Sequence, residues 1–251
     1  MVSIEVRNLS KVYAGQVGSA EQPHVALQGV NLEVGAGEFV CLLGPSGCGK
    51  TTLLNILSGL DTDYSGSVQF SSQQKPVMSY MFQEPRLLPW LTVAGNLRFV
   101  LDSKPSETFI EDWLARVGLS GFGAYYPSQL SVGMQQRVAV ARALIMDPEL
   151  LFMDEPFSSL DELTAFHMRE ELLELWAVQR CTVVFVTHNP LEAVYLADRV
   201  LMMTPSPGRV TETLRLDTRF PRPRSAEDTR LWDISRDVVR KLRAEDAATL
   251  S

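Results

Sequence analysis

The stretch GPSGCGKTT, residues 44–52, decides how the rest of this sequence is interpreted. It matches the pattern G-x-x-x-x-G-K-[ST], with Lys50 and Thr51 in the last two fixed places. An apolar run at residues 39–43 predicts a buried strand before it, and residues 52–58 predict the first turns of a helix after it. In this order a strand, a glycine loop and a helix direct backbone N–H groups and a helix N-terminus at phosphate. We therefore predict that the chain binds a nucleoside triphosphate.

The residue types in the loop suit a phosphate chain that carries a metal ion. Glycines let the backbone approach phosphate without an intervening Cβ. The ammonium group of Lys50 can reach the β- and γ-phosphates, and the hydroxyl of Thr51 can ligate Mg²⁺. The residues that we expect to bind the nucleotide are Gly44, Pro45, Ser46, Gly47, Cys48, Gly49, Lys50, Thr51 and Thr52.

Composition narrows the class of protein. Of the 251 residues, 45% are hydrophobic, which is enough for a sizeable core, and the net charge is −7. This acidic balance argues against a general nucleic-acid binder. The three cysteines, Cys41, Cys48 and Cys181, lack metal-ligand spacing and predict reduced thiols. No apolar run approaches the roughly 18 residues that span a bilayer, and the N-terminus has no signal-peptide character, so we expect any membrane role to come through a partner.

Hydrophobic periodicity predicts an α/β chain with a helical insertion. Further strands are predicted at residues 2–6, 26–34, 66–70, 77–82, 150–153 and 182–186. Further helices are predicted after Thr92, at 107–117, after Ser131, at 162–177 and near the C-terminus. Residues 84–130 are therefore predicted to form a mostly helical insertion. The stretch at 220–224 predicts a polar linker before the last helix, whose apolar face carries Leu231, Ile234, Val238, Val239 and Leu242.

An acid pair follows the strand at 150–153. Asp154 and Glu155 after a buried strand, downstream of a phosphate loop, form the Walker B arrangement. It predicts that Asp154 holds Mg²⁺ while Glu155 polarises the water that attacks the γ-phosphate. His188 ends the strand that begins at Thr182. A histidine at the carboxyl edge of a parallel sheet is a candidate ligand contact, although a purely structural role is open as well.

These motifs, together with LSVGM at residues 130–134, resemble those of the ATP-binding subunits of ABC transporters over residues 2–216. The resemblance implies an α/β P-loop NTPase core, that of the ABC ATPases, with a small antiparallel β subdomain and an inserted α-helical subdomain. It divides the single domain 1–251 into a nucleotide-binding core (1–83 and 135–220), a helical subdomain with the signature motif (84–134) and a C-terminal extension (221–251) that ends in a helix.

The same resemblance assigns roles outside the loop and the acid pair. It implies that Tyr13 stacks on adenine, that Asp161 lies in a loop at the dimer interface, and that His188 is a switch residue in hydrolysis. Gln83, in the loop that joins the core to the helical subdomain, would serve hydrolysis and Mg²⁺. The signature that contacts the opposite subunit's ATP consists of Ser131, Val132, Gly133 and Met134.

The signature departs from the usual pattern Leu-Ser-Gly-Gly at its third position, where this chain has Val132. Gly133 is retained. Valine at a first helical position is sterically acceptable with φ near about −65°, so we expect the change to be tolerated.

The resemblance also implies cofactors and partners. ATP and Mg²⁺ are expected, with a head-to-tail homodimer in the ATP state, separate transmembrane permease subunits and, through them, a substrate-binding protein. Five stretches, at residues 82–90, 160–164, 171–176, 206–209 and 220–224, resemble importers of the nitrate, sulfonate and taurine type. We thus expect a position at the cytoplasmic face of the inner membrane and no nucleic-acid partner. The alternative is a soluble ABC ATPase acting on a macromolecular complex, which usually has two cassettes or a long coiled coil.

Leu87, Leu88 and Trp90 stand beside two prolines in a predicted surface loop. Exposed apolar side chains in such a place often mark a partner site. Two interpretations are open: they line a groove for a short permease helix, or they fold back as core of the helical subdomain.

Overall fold

The computed structural model describes residues 1–14, 23–216, 222, 224–225 and 227–249, with side chains up to residue 243 in the last helix. The predicted loop between Tyr13 and Pro23 lies mostly outside these residues. Residue contacts divide the chain into two units. We call residues 2–74 and 182–251 the phosphate-loop unit, and Met1 with residues 75–181 the acid-pair unit. The finer division into core, helical subdomain and extension stays a prediction.

The helices and strands alternate along the chain, as the sequence pattern predicts for an α/β protein. In chain order they are β1 (Ile4–Tyr13), β2 (His24–Val34), β3 (Phe39–Leu43), α1 (Lys50–Leu57), β4 (Ser65–Phe70), β5 (Met78–Met81), α2 (Val93–Arg98), α3 (Glu107–Arg116), a 3-10 helix (Pro127–Gln129), α4 (Val132–Leu144), β6 (Leu150–Asp154), α5 (Glu162–Gln179), β7 (Thr182–Thr187), α6 (Pro190–Leu196), β8 (Arg199–Met203), β9 (Val210–Arg215) and α7 (Thr229–Thr249).

The phosphate-loop unit contains two sheets. One is antiparallel in the order β2-β1-β4, and its polar and apolar residues alternate because one face is solvated. In the other, β3 lies between the parallel strands β7 and β8, and β9 pairs antiparallel with β8. Every residue of β3 is buried, since a parallel strand is covered on both faces. Phe39 and Phe185 pack with their ring centroids 5.9 Å apart, and burying each such side chain stabilises the fold by about 1.5–3 kcal/mol.

The acid-pair unit has a parallel pair of strands and four α-helices. β5 and β6 pair in register, with Met78 opposite Leu150 and Met81 opposite Met153. α4 packs against β5 and against α2, α3 and α5. The first turns of α2 and α3 are capped by Thr92 and Ser106, whose hydroxyls accept from the N–H of the residue three positions on. Ile110, Trp113 and Leu114 form the buried face of α3.

The predicted elements are found, with differences at their ends. β3 has the predicted bounds, but β1 extends to Tyr13, seven residues beyond the predicted end. α1 begins at Lys50, two residues early, because Gly49 already occupies the N-cap position. The helix predicted after Thr92 is short and ends at Arg98. The short elements α6, β8 and β9 were not predicted from the sequence.

Candidate nucleotide-binding and hydrolysis site

The phosphate loop joins the buried end of β3 to the start of α1. Gly49 is the N-cap of α1 with φ of 95°, a left-handed conformation that favours glycine. A Cβ at this position would also lie 2.8 Å from the carbonyl oxygen of Ala26. Within the described residues, no side chain caps the first turn of α1. A glycine loop that leads into a helix in this way directs the N–H groups of the first turn at an anion.

Lys50 is held inside the curve of its own loop. Its side chain is 5% exposed, and Nζ donates to the carbonyl oxygens of Gly44 (2.9 Å) and Pro45 (2.8 Å). Cys48 Sγ lies 3.8 Å from the same nitrogen, and burial raises the pKa of this thiol although the charge of Lys50 opposes the shift. Cys48 is thus a neutral thiol that fills space behind the loop. The three cysteines are all free and buried.

The turn between β8 and β9, which contains Gly208, packs against the phosphate loop. The N–H of Gly208 donates to Ala26 (2.9 Å), and the carbonyl of Gly208 accepts from Gln28 (3.1 Å). A Cβ at Gly208 would overlap the carbonyl oxygen of Cys48, so a glycine is required there. The stretch at 206–209 was interpreted from the sequence only as a subfamily marker. Its contact with a loop some 160 positions earlier has no local signal.

Tyr13, expected to stack on adenine, lies at the end of β1 beside the loop. Its hydroxyl is 3.4 Å from Thr52 Oγ1, and its side chain is 42% exposed. The Nζ of Lys11 lies 4.9 Å from the centroid of the ring. An aromatic ring with accessible surface next to the phosphate loop is suited to stack on a base.

Lys11 itself was missed from the sequence. Nζ donates to Asp61 (3.0 Å) and to the carbonyl oxygen of Asp63 (2.5 Å), so it ties β1 to the chain after α1. Burial by itself would lower the pKa of Lys11, but the two aspartates outweigh burial and raise the pKa. The available sequence signal was the two-residue spacing between Lys11 and Tyr13, since positions two apart on a strand face the same side.

His188 leaves the sheet at the same edge as the phosphate loop. Leu43 and Thr187 are register partners in the parallel strands β3 and β7. Gly44 and His188, the next residue on each strand, therefore start from neighbouring strands, which lie about 4.8 Å apart in a sheet. His188 is exposed. The prediction of a histidine at the carboxyl edge of a parallel sheet is confirmed, whereas its role in hydrolysis stays a prediction.

In the acid-pair unit, Asp154 is the last residue of the buried strand β6. Tyr80, on the paired strand β5, hydrogen-bonds to its carboxylate. Burial and then the charge of Asp154 raise the pKa of Tyr80, so the neutral phenol donates to the carboxylate. Tyr80, which the sequence did not single out, orients the carboxylate that is expected to hold Mg²⁺.

Glu155 and Gln83 are brought together by a third residue, Ser158. The Nε2 of Gln83 donates to Ser158 Oγ (3.1 Å), and that hydroxyl donates to the carbonyl oxygen of Glu155 (2.9 Å). Glu155 has φ of 45°, a left-handed conformation that costs a non-glycine residue about 1–3 kcal/mol. Such strain concentrates at functional sites because the surroundings must hold the residue in place.

The signature residues occupy the start of α4. Ser131 is the N-cap, and its hydroxyl accepts from the N–H of Met134 (3.3 Å), as the sequence predicts. Val132 is the first helical residue and is 52% exposed, so the helix accommodates the valine. A Cβ at Gly133 would lie 3.1 Å from Thr164 on α5, which places the signature against the first turn of that helix.

Asp161 caps α5 next to the signature. Its carboxylate accepts from the N–H of Thr164 (3.0 Å), and hydrogen bonds from Thr164 lower the pKa of Asp161. Its expected place in a dimer interface stays a prediction.

The expected metal ligands are chemically suited to Mg²⁺. Thr51, Gln83 and Asp154 offer a hydroxyl, an amide carbonyl and a carboxylate, all of them hard oxygen donors. In the described part of the chain, no three His, Cys, Asp or Glu side chains gather as a metal site. The expectation that Thr51, Gln83 and Asp154 hold Mg²⁺ stays a prediction.

The proline-rich segment after Gln83 is irregular but anchored. The buried side chain of Asn96 accepts from the N–H of Leu88 (2.8 Å) and donates to its carbonyl oxygen (3.2 Å). Arg142 donates to the carbonyl oxygens of Pro85 (2.8 Å) and Arg86 (3.0 Å). Trp90 is 70% exposed, so the interpretation of this side chain as core is wrong.

Among the helices of the described residues, none combines the length and the apolar character that crossing a membrane requires.

Comparison with known proteins identifies the family. A family model described as ABC transporter matches residues 27–158, more than half of the chain. An aliphatic sulfonates import ATP-binding protein of Bacillus cereus (strain ZK / E33L) is 37% identical over 246 residues, covering 96% of each chain. Another, of Pseudomonas syringae pv. syringae (strain B728a), is 43% identical and covers 88% of this chain and 89% of the relative. A bicarbonate transport ATP-binding protein of Synechocystis is 42% identical over 88% of this chain and 81% of the relative.

Solved structures agree with this result. A dimeric post-hydrolysis ATP-binding cassette bound to ADP and Pi superposes with a TM-score of 0.71 at 31% identity, covering 85% of this chain and 98% of that one. The α/β fold, the phosphate loop and the sequence matches point to the same conclusion. The chain belongs to the ABC transporter family, as an ATP-binding subunit that hydrolyses ATP.

Proposed function

We propose that the chain powers an importer of a small anion of the nitrate, sulfonate or taurine type. The observation that carries the hydrolytic part of the proposal is the shared sheet edge, where β3 leads into the phosphate loop and β7 leads into His188. The relatives favour an importer over an ATPase acting on a macromolecular complex. They are named for sulfonate import and bicarbonate transport, and the chain matches them over most of their length.

The chain's own residues have separable roles in this proposal. Lys50 and the first turn of α1 bind the phosphates, and Tyr13 stacks on the base. Bound Mg²⁺ would supply charge stabilisation at the phosphate oxygens, held by Thr51, Asp154 and Gln83. Glu155 accepts a hydrogen bond from the attacking water and polarises it.

Two further residues complete the hydrolytic role. Tyr80 keeps the carboxylate of Asp154 oriented through its hydrogen bond. His188 donates a hydrogen bond to the γ-phosphate region from the edge of the sheet. Because a charge-assisted bond to phosphate is stronger than a neutral one, this contact would stabilise the developing charge.

The test of hydrolysis is Glu155→Gln, with Glu174→Gln, an exposed glutamate on α5, as the matched control. Loss of a general base lowers turnover by about 10²- to 10⁴-fold, and we expect ATP binding to persist because the phosphate loop is untouched. Steady-state ATPase activity and equilibrium ATP binding are measured on both variants. Turnover near the unmodified level in Glu155→Gln would refute the assignment.

The proposal includes a homodimer in the ATP state. The dimeric cassettes among the solved structures support it, as does the exposed start of α4 with Ser131 and Val132. Size exclusion of Glu155→Gln with and without Mg-ATP is the measurement. We expect a shift to the dimer volume only with ATP, and an unchanged elution volume would argue against ATP-driven dimerisation.

The proposal also includes permease subunits, a substrate-binding protein and a position at the cytoplasmic face of the inner membrane. Trp90 is the side chain that we expect to contact the permease, because it is exposed on a segment whose backbone Asn96 and Arg142 anchor. A cavity of about 140 Å³ lies in the same unit, lined in part by Phe82, Pro85 and Met146.

Trp90→Ala tests this contact, and Phe99→Ala, which also removes an exposed aromatic side chain, is the control. Leu88→Ala added to Trp90→Ala removes the second apolar group. We expect the ATPase activity of the free subunit to be unchanged and transport by the assembled complex to be lost. If transport survives in the double variant, the permease contact lies elsewhere.

A further inference from the structure

The polar linker before the last helix contains a buried arginine. Arg224 is 8% exposed, and its Nη1 donates to the carbonyl oxygens of Val194 (2.9 Å), Tyr195 (2.9 Å) and Ala197 (2.7 Å). These carbonyls belong to the C-terminal end of α6, where helical C=O groups have no intrahelical partner. A cation at this end is also favoured by the helix dipole. Arg224 therefore acts as a clamp on the end of α6.

Arg222 makes a second attachment at the same place. Its guanidinium forms an ion pair with Asp198 (2.7 Å) and donates to the carbonyl oxygen of Leu196. Asp198 forms two hydrogen bonds with Phe39, the first residue of β3. The N–H of Asp198 donates to the carbonyl oxygen of Phe39 (2.7 Å), and the carboxylate of Asp198 accepts from the N–H of Phe39 (3.0 Å). The arginine pair thus attaches the extension to α6 and to the strand that leads to the phosphate loop.

The helix that follows holds the arginines in place. α7 packs against α6, with Leu231 and Val238 buried, and Lys241 forms an ion pair with Glu212 on β9. Residues 222, 224–225 and 227–243 are called the C-terminal strap below.

The other end of α6 begins next to the candidate switch residue. The side chain of Asn189 caps α6 by accepting from the N–H groups of Leu191 (3.0 Å) and Glu192 (3.4 Å). The N–H of Asn189 donates to Thr187 Oγ1 (3.0 Å), and His188 lies between these two residues. With seven residues, α6 is about 10 Å long, and a helix this short is not stable without tertiary contacts.

We infer that Arg224 is a positioning residue for His188. The arginine fixes the end of α6, and α6 fixes the backbone from which His188 projects at the edge of the sheet. The C-terminal strap would in this way set the rate of hydrolysis without contacting the nucleotide. The inference rests on the proposed role of His188.

The experiment compares Arg224→Lys, His188→Ala and the double variant, with Arg236→Lys, an exposed arginine on α7, as the control. Lysine keeps the charge but offers one nitrogen where the guanidinium presents a rigid fork. We expect the Kd for ATP to be unchanged and kcat to fall about 10- to 100-fold, the scale of a small misplacement of a catalytic group. The double variant should be no slower than His188→Ala alone.

Hydrogen exchange of the backbone amides at 188–196 separates the possible failures. We expect faster exchange there in Arg224→Lys and no change in Arg236→Lys. A normal kcat in His188→Ala would refute the proposed role of His188 and leave the clamp to be judged by exchange. Unchanged exchange in Arg224→Lys would overturn the inference. It would also be overturned if Arg224→Lys lowered kcat in the His188→Ala background by the same factor as in the unmodified protein. If Arg224→Lys does not fold, Arg222→Lys is measured in the same way and must show the same pattern with a smaller loss.

Discussion

The starts of α1 and α4 are both candidate phosphate sites, and they are built differently. α1 begins after Gly49 with no side-chain cap from the described residues, and its first residue, Lys50, is buried in the loop. α4 begins after Ser131, whose hydroxyl already accepts from the helix, and its first residue, Val132, is half exposed. One helix start is thus enclosed by its own chain, whereas the other faces solvent.

This difference indicates what each site needs. The phosphate loop encloses the start of α1 with residues of its own chain, and a helix start in such a loop directs its N–H groups at an anion, so one chain suffices to bind phosphate there. The start of α4 offers a hydroxyl and a half-exposed turn on an open surface, as a contact with a second subunit requires. The predictions below test whether the two sites separate in this way.

The largest effect is expected for Lys50→Ala. Losing charged hydrogen bonds of about 1.5–3 kcal/mol should weaken ATP binding about 10- to 100-fold in the isolated chain. Equilibrium binding measured by calorimetry is the readout, and Lys104→Ala, an exposed lysine, is the control. An unchanged affinity would mean that the enclosed site is not the primary phosphate site.

Ser131→Ala should abolish the ATP-dependent dimer in the Glu155→Gln background and spare ATP binding by the single chain. Loss of the cap should also lower the free energy of unfolding by about 1 kcal/mol. Ser106→Ala is a matched control, since Ser106 caps α3 through the same hydrogen bond to Phe109 (3.1 Å). Ser106→Ala should lose similar stability and still dimerise. If both serine variants dimerise equally, the comparison between the two helix starts fails.

Lys11→Met should affect only the base end of the enclosed site. Losing the cation beside the Tyr13 ring, worth about 0.5–1 kcal/mol, should weaken ATP binding about two- to fivefold. Binding of inorganic triphosphate, which has no base, should stay unchanged. The double variant Lys11→Met with Asp61→Asn is the control, because Lys11→Met alone leaves the Asp61 carboxylate without the ammonium group that donates to it. Equal losses for both ligands would show that Lys11 supports only the loop.

The pH dependence of this effect follows from the same ion pair. Burial would raise the pKa of Asp61, but the hydrogen bonds from Lys11, Asp63 and Tyr13, together with the charge of Lys11, outweigh burial and lower the pKa, while the pKa of Lys11 is raised. The stabilisation from Asp61 is lost as the pH falls through its lowered pKa, and that from Lys11 is lost as the pH rises through its raised pKa. Both groups are therefore charged at every pH between the lowered pKa of Asp61 and the raised pKa of Lys11, and the effect of Lys11→Met should be constant over that range.

Val132→Gly should have the smallest effect. The side chain is half exposed and already helical, so restoring the usual signature glycine should change stability by only a few tenths of a kcal/mol and dimerisation by less than about twofold. Gly133→Ala is the contrasting variant, because its Cβ would lie 3.1 Å from Thr164. A tenfold gain in dimer formation on Val132→Gly would show that the valine obstructs the phosphate contact.

Short, contiguous patterns were sufficient for the parts of the site that one segment builds. The loop at 44–52, the acid pair after β6 and the caps at Thr92 and Ser131 could all be predicted. Each depends on residues that are close together in the sequence, because strand periodicity and N-capping are local interactions. The predictions for β3 and α4 were accurate for this reason.

Tertiary packing alone decided which distant residues support those segments. Tyr80 hydrogen-bonds to Asp154 from the neighbouring strand. Gly208 packs against the phosphate loop, 160 positions earlier in the chain. Arg224 donates to carbonyl oxygens 27–30 positions before it. The sequence marked Arg224 as part of a polar linker, because arginine is usually exposed. Its burial depends on where the carbonyl groups of residues 194, 195 and 197 lie after the chain has folded. Local propensity does not contain that information, since it is the sheet and the helices packed on it that bring such groups together.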